Sequence, residues 1–430
     1  MMKAFECKFD TLQLAQQIED YVIGIRRDLH RHPEIGLKEV RTMKVVTEEL
    51  SKMGIRYEMV PDGGIIGIIE GNQAGKTIIL RADLDALPMK EEEHNLTMKK
   101  VVVSHTDQAA HTCGHDGHTA MLLGAAKILS QHQGKVKGKV LLAFEQGEEM
   151  GGGIFNLLKR LCEIGADGVW GIHLKSDIPT GKISVEQGPR MAASFSFNVL
   201  IKGKSGHGSR PDLSISPLDC FTDFYSNLKA MRLSSLDPYK TISYSIGTIN
   251  SGTASNIIPE DLQFSGTARY LDFEQGAHAA KEFKRILEKV CDLHHCTYEF
   301  ITEPKECDLI VSNQKDCAQI AKAAIEKTVG DDALYTSPAW MASESFAFYE
   351  KYFPGVFAFV GIQNLEKGIG AEHHNVFFDL DEEALKLGVA ATVQYAIDFL
   401  NNDNEIHFTP DTRDIKSLFV ANGFAQLIRQ

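Results

Sequence analysis

At 430 residues, 43% of them hydrophobic and 24% charged, the chain has a globular composition and is too long for one core, so two domains are expected. Its formal net charge of −13 argues against a broad nucleic-acid footprint and against attraction to anionic membranes. It contains no run of ~18 apolar residues that would predict a transmembrane helix, and the opening MMKAFECKFDTLQLAQQIED is too acidic and polar for a signal peptide. The eight cysteines (Cys7, Cys113, Cys162, Cys220, Cys291, Cys296, Cys307 and Cys317) are scattered, a pattern of reduced thiols and a cytoplasmic location.

Residues 11–31 and 37–53 carry helical periodicity. Short apolar runs follow at 65–69, 77–83, 140–145 and 168–174, with an Ala/Leu-rich helical segment at 119–131. PDGGIIGIIEG (61–71) has glycines but no helix behind it, so it reads as a hairpin and not a phosphate loop. Buried strands alternating with helices predict an α/β architecture on a mainly parallel sheet with helices on both faces. After GPRMAAS (188–194) the rhythm changes to a strand at 195–201, a helix at about 215–232, strands at 241–249 and 261–270, a helix at about 273–292 and a strand at 296–302. That βαββαβ order is a ferredoxin-like α+β unit able to bury its own core. The α/β pattern then resumes with a strand at 355–361 and a helix at 381–400. The expected division is therefore a larger domain of 1–188 and 303–400, an inserted domain of 189–302, and an extension of 401–430 ending in a short amphipathic helix, SLFVANGFAQLIRQ, whose apolar spacing favours packing on the sheet over capping a dimer or disorder.

Chemistry-bearing residues gather where the strands of the larger domain end. AAHTCGHDGHT (109–119) sets Cys113 and His115 one residue apart without the paired C-x-x-C of a structural zinc site, so further ligands must come from elsewhere. Asp83 and Asp85 follow one strand, Glu145, Glu148 and Glu149 another, and His173 a third. The carboxyl ends of strands in open α/β sheets are where ligands bind. Adjacent glutamates are common on solvated surfaces, and a single histidine after an apolar strand is more often a core residue. The combination outweighs its parts: Glu149 can bind metal while Glu148 faces a bound water and shuttles its proton.

These segments resemble the M20 metallopeptidase superfamily, in its amidohydrolase branch of hippurate hydrolases, N-acyl-amino-acid amidohydrolases and auxin-conjugate hydrolases. The resemblance runs in order through RRDLHRHPEIGLKE (26–39), RADLDALPM (81–89), HTCGHDGHTAMLLGAA (111–126), FEQGEEMGGG (144–153) and GIHL (171–174). It continues through GKSGHGSRP (203–211), SNIIPE (255–260), GTARY (266–270) and EHHNVFFDLDE (372–382). It implies two divalent metal ions bridged by the Cys113 thiolate, with His115, Glu149, His173 and a histidine of EHHN completing the set. In that doublet His373 aligns better, with His374 as the alternative. Zinc suits these donors, and manganese, cobalt or nickel can occupy such a centre. Glu148 takes the role of general base and Asp85 that of the supporting aspartate; Asp83, which stands where the wider superfamily has a metal-binding histidine, is not counted as a ligand. His207 matches the residue that polarises the substrate carbonyl, often from a partner subunit, and Asn256 and Arg269 match positions associated with the substrate carboxylate.

The resemblance thus implies a dinuclear, homodimeric hydrolase of linear amide bonds in small molecules, its inserted domain serving as lid and dimer surface. N-acyl amino acids are the expected substrates; a dipeptidase or carboxypeptidase, or an idle homologue that only binds small molecules, are the alternatives. There are departures. The usual Q-P-A-E-E reads E-Q-G-E-E, which adds Glu145; the S/G-E-D-F segment reads SESF, with Ser345 for aspartate; and the loop between Pro88 and His111 is unlike the common sequence.

Overall fold

The computed structural model describes residues 9–428; the opening residues on which the signal-peptide argument rests, and Cys7, lie partly or wholly outside them. A seven-stranded sheet forms the larger body, in the order Arg56–Val60, Gly64–Glu70, Lys137–Glu145, Gln73–Asp83, Gly168–Pro179, Gly355–Gln363, Ile183–Ser184. Its four central strands run parallel. The flanking strands are antiparallel, and 56–70 is the hairpin expected from its glycines. The central strands are buried along most of their length because helices cover both faces, which is why they read as apolar runs rather than as alternation.

Helix His115–Gln131 starts four residues before the predicted segment and is buried on nearly every side. Its small residues allow close crossings: a Cβ on Gly124 would stand 2.8 Å from Val22 and 2.9 Å from Val389 on the neighbouring helices Glu19–Arg31 and Glu383–Leu400. The predicted helix over 11–31 is two helices, Thr11–Gln17 and Glu19–Arg31, which meet at Ile18.

The second sheet has the order Ile242–Ser251, Asp261–Tyr270, Ala193–Lys202, Thr297–Thr302, all antiparallel. With helices Pro217–Ser234 and Phe273–Leu293 it forms the inserted ferredoxin-like unit. Strand 193–202 alternates buried and more exposed residues, as expected of a sheet covered on one face. Phe197, Phe224, Phe264 and Phe283 fill that face, with ring centroids 4.6 Å apart for Phe197–Phe283 and 5.1 Å for Phe224–Phe283. Such pairs are each worth about 0.5–1.5 kcal/mol beyond their area.

The C-terminal helix is Ile415–Ala421, shorter and earlier than the apolar spacing suggested, because Gly423 at φ +84° turns the chain out of helical geometry. It packs on the body through Leu418 and Phe419, both fully buried. Seven cysteines are free thiols among the described residues, and no described helix is long and apolar enough to cross a membrane.

Candidate metal centre

Two strand ends, the middle of a third strand and one helix start converge. Gly114, at φ +94°, lets the chain turn from Cys113 into helix His115–Gln131, so Cys113 and His115 stand at a positive helix terminus that favours an anionic sulfur. Gly147, at φ +61°, likewise turns strand 137–145 into the short 3-10 turn Glu148–Met150 that carries both glutamates. His173 lies in strand Gly168–Pro179, and His374 in the loop before helix Glu383–Leu400, its backbone N–H donating to Thr112 O at 2.9 Å.

The ligand atoms of Cys113, His115 and His173 lie within 4.8 Å of one another, as do those of Cys113, Glu149 and His374, and those of His115, Glu148 and Glu149. Cys113 is common to two of these sets, the position a bridging thiolate would occupy. The nitrogen atoms are arranged for metal binding. His173 Nδ1–H donates to Leu174 O at 2.7 Å, which leaves the Nε2 lone pair facing Cys113 Sγ at 3.5 Å. His115 Nδ1 pairs with Asp85 Oδ1 at 3.1 Å, while its buried Nε2 has no hydrogen-bond partner and stands 3.8 Å from Glu149 Oε1. A thiol, a carboxylate and imidazole lone pairs turned towards one point suit a divalent cation of zinc type.

The electrostatics agree. Burial and then the Glu149 carboxylate push the Cys113 thiol well above its ordinary range, so the sulfur needs a nearby cation to ionise. Burial opposes protonation of His115, but Asp83, Cys113 and Asp85 together raise it well above the usual imidazole value. Burial, then the carboxylates of Glu344 and Glu149, raise Glu148 well above the carboxylate range. Burial raises Glu149 too, yet the hydrogen bond from His374 and the charges of His115 and His374 outweigh it and leave it lowered. Two adjacent carboxyls thus differ in basicity, which fits one ligand and one proton carrier.

Asp85 ties the site together: besides His115 it accepts the backbone N–H groups of Glu148 and Glu149, each at 3.1 Å. Asp83 instead holds His118, Oδ1 to Nδ1 at 2.7 Å, and His118 Nε2 accepts the Leu174 N–H at 2.9 Å. Both ring nitrogens of His118 are therefore engaged, although Asp83, His115 and His118 also form a compact group. His118 was not singled out from the sequence; its spacing of three from His115, on one helix face, was the available signal.

Both histidines of the EHHN doublet line one cavity: His374 Nε2 lies 3.2 Å from Glu149 Oε1, while His373, its ring 5.2 Å from that of His173, accepts the Ser176 N–H at Nε2 (3.3 Å) and keeps a buried Nδ1 without a hydrogen-bond partner. His374 has a left-handed backbone (φ +60°).

Two of the three sequence departures meet in space. Ser345 Oγ donates to Glu145 Oε1 at 2.7 Å, and buried Arg81 donates to Glu145 (2.9 Å), Asp83 (2.7 Å) and Ser345 Oγ (2.8 Å). Ser345 N–H in turn donates to Glu148 Oε1 at 2.9 Å. Sequence reasoning passed over Arg81, which lies at the centre of this buried network.

Arg269 lines a cavity of about 390 Å³ together with Cys113, Glu148, Glu149, His173 and His374, its Nη1 donating to Met341 O at 3.2 Å. His207 lies on the short strand Gly206–His207 and Asn256 just before its partner strand Ile257–Ile258, but both are exposed on the inserted domain and line no part of that cavity.

The sequence profile of peptidase family M20/M25/M40 matches residues 79–398, most of the chain. A thermostable carboxypeptidase of Saccharolobus solfataricus is 35% identical over 90% of this chain and 97% of its own length. An N-acetylcysteine deacetylase of Bacillus subtilis is 32% identical over 87% and 96%. The crystal structure of a dinuclear metal-binding M20 peptidase from Bacillus subtilis superposes with a TM-score of 0.76 at 30% identity, covering 90% of this chain and 99% of the other. The chain belongs to peptidase family M20/M25/M40, in its amidohydrolase branch. It is a metal-dependent hydrolase of amide bonds on a dinuclear metal-binding fold.

Proposed function

We propose that this hydrolase cleaves N-acyl amino acids, or closely related amides bearing a free carboxylate. Two divalent cations would be held by Cys113, His115, Glu149, His173 and His374. The observation that carries the reading is the sharing of Cys113 between two ligand sets, with the Glu148 carboxyl beside them. Bound, the metals supply Lewis acidity and an acidified water; zinc suits the donors, and manganese, cobalt or nickel are the alternatives. Glu148, anchored at one oxygen by the Ser345 N–H, moves the proton from water to the leaving amine. Asp85 fixes the His115 imidazole and the glutamate turn.

Arg269 supplies the guanidinium for the substrate carboxylate. His207 and Asn256 join it from the inserted domain, across a homodimer or on closure about residues 188–194 and 302–306, with His207 steadying the oxyanion. The edge strand Ile242–Ser251, paired on one side only among the described residues, supports dimerisation through that domain. The free thiols support a cytoplasmic location. A carboxypeptidase reading is favoured by the Saccharolobus relative and shares every group named.

The test is amine release from N-acyl amino acids and dipeptides by the metal-loaded chain beside Glu148→Gln. Turnover should fall by about 10²–10⁴ in the variant with metal retained. Undiminished turnover would remove Glu148 from the mechanism, and the preferred substrates decide between acylase and peptidase.

A further inference from the structure

The segment after residue 398, beyond the family match, ends against the catalytic turn. Phe419 stacks on Phe348 with centroids 4.2 Å apart and meets Phe155 edge-on at 5.1 Å. Asn422 Oδ1 accepts the Asp308 N–H at 2.6 Å, and Phe424 N–H donates to Phe419 O at 2.8 Å. These anchors direct Phe424 and Leu427 towards the site. A Cβ on Gly151, two residues after Glu149, would stand 2.7 Å from Leu427 Cδ1.

Between this segment and the body is a chamber of about 310 Å³, lined on its apolar side by Met150, Leu309, Phe348, Phe424 and Leu427. That volume is at the lower end of small-molecule sites. At its inner end it shares Glu148, Glu149, Ser343 and Glu344 with the cavity that holds Arg269. A linear substrate with its amide at Glu148 therefore has one end in each compartment. Arg269 draws the carboxylate to one side; among the described residues the chamber is lined by no cationic side chain and by three carboxyls at its inner end, so it disfavours an anion and accepts hydrocarbon.

Resting on the amidohydrolase reading above, we propose that residues 424–428 form the outer wall of the acyl subsite and select for an apolar acyl chain of several carbons, with Leu427 and Phe424 as specificity-determining residues.

The experiment compares kcat and KM for N-octanoyl and N-acetyl forms of one amino acid, in the full-length metal-loaded wild type, Leu427→Trp and Leu427→Ala. Binding of octanoate and acetate to the same proteins is measured calorimetrically. The wild type should favour octanoyl at least tenfold in kcat/KM. Leu427→Trp, which fills the chamber, should reverse that ratio by at least tenfold, mainly through KM, and Leu427→Ala should leave room for longer chains. Octanoate should bind at least tenfold more tightly than acetate, with the difference lost in Leu427→Trp. Ratios that stay unchanged in both variants would overturn the assignment. A shift in the octanoate-to-acetate binding ratio without hydrolysis of any amide would keep the chamber and overturn the substrate reading instead.

Discussion

Replacing Asp85 with asparagine perturbs one carboxylate that serves three donors. Oδ1 receives His115 Nδ1 and the Glu148 N–H, and Oδ2 the Glu149 N–H, each at 3.1 Å. With the asparagine oxygen in the Oδ1 position, its amide faces the Glu149 N–H donor to donor, at about 1–3 kcal/mol for a buried group left without a partner. The two remaining bonds lose their ionic character, at roughly 1 kcal/mol each. A loss of about 3–5 kcal/mol is expected, read as the shift in the urea midpoint of the metal-free protein. The His115 ring also loses the carboxylate that orients it, so zinc affinity should fall about 10–100-fold in a chelator competition. A variant within about 0.5 kcal/mol of wild type, with zinc affinity unchanged, would show that Asp85 is a bystander.

His374→Ala should lower the number of tightly bound metal ions per chain, whereas His373→Ala should keep the full complement and change only packing on Trp340; atomic emission on the dialysed proteins separates the two. Burial raises Glu350 to about 8, and its Oε2 accepts the Ser312 N–H at 2.6 Å. The folded chain therefore holds this proton more tightly than the unfolded one. Its contribution is fully present below the ordinary glutamate value and is lost as pH rises towards 8, by an amount on the order of a few kcal/mol. Glu350→Gln keeps the acceptor, so thermal melts from pH 6 to 8.5 should show a shallower decline than wild type; parallel curves would refute the assignment.

Much of the candidate site was legible because its candidate ligands sit in short local patterns. Cys113 and His115 share one turn, and Glu148 and Glu149 are adjacent. Strand periodicity then brought His173 and the aspartates to the same sheet edge. What escaped depends on contacts between distant residues or on single backbone angles. Which of His373 and His374 meets Glu149 follows from no local pattern, since His374 is a left-handed residue tied to Thr112. Glu145 and Ser345 looked like unrelated departures until their side chains met around Arg81. The end of the chain read as an amphipathic helix, but only its stacking on Phe348 shows that it reaches the catalytic turn.

The account rests on a proposed pair of divalent ions that Cys113 would help to hold beside Glu148. The direct measurement is zinc titration of the chelator-treated protein, following ions bound and amine released from an N-acyl amino acid in the same samples, beside Cys113→Ser. The account predicts two ions per wild-type chain, activity that returns with them, and weakened binding with little activity in the variant. Amide hydrolysis by the metal-free chain, or a Cys113→Ser variant that binds two ions and turns over like wild type, would contradict it.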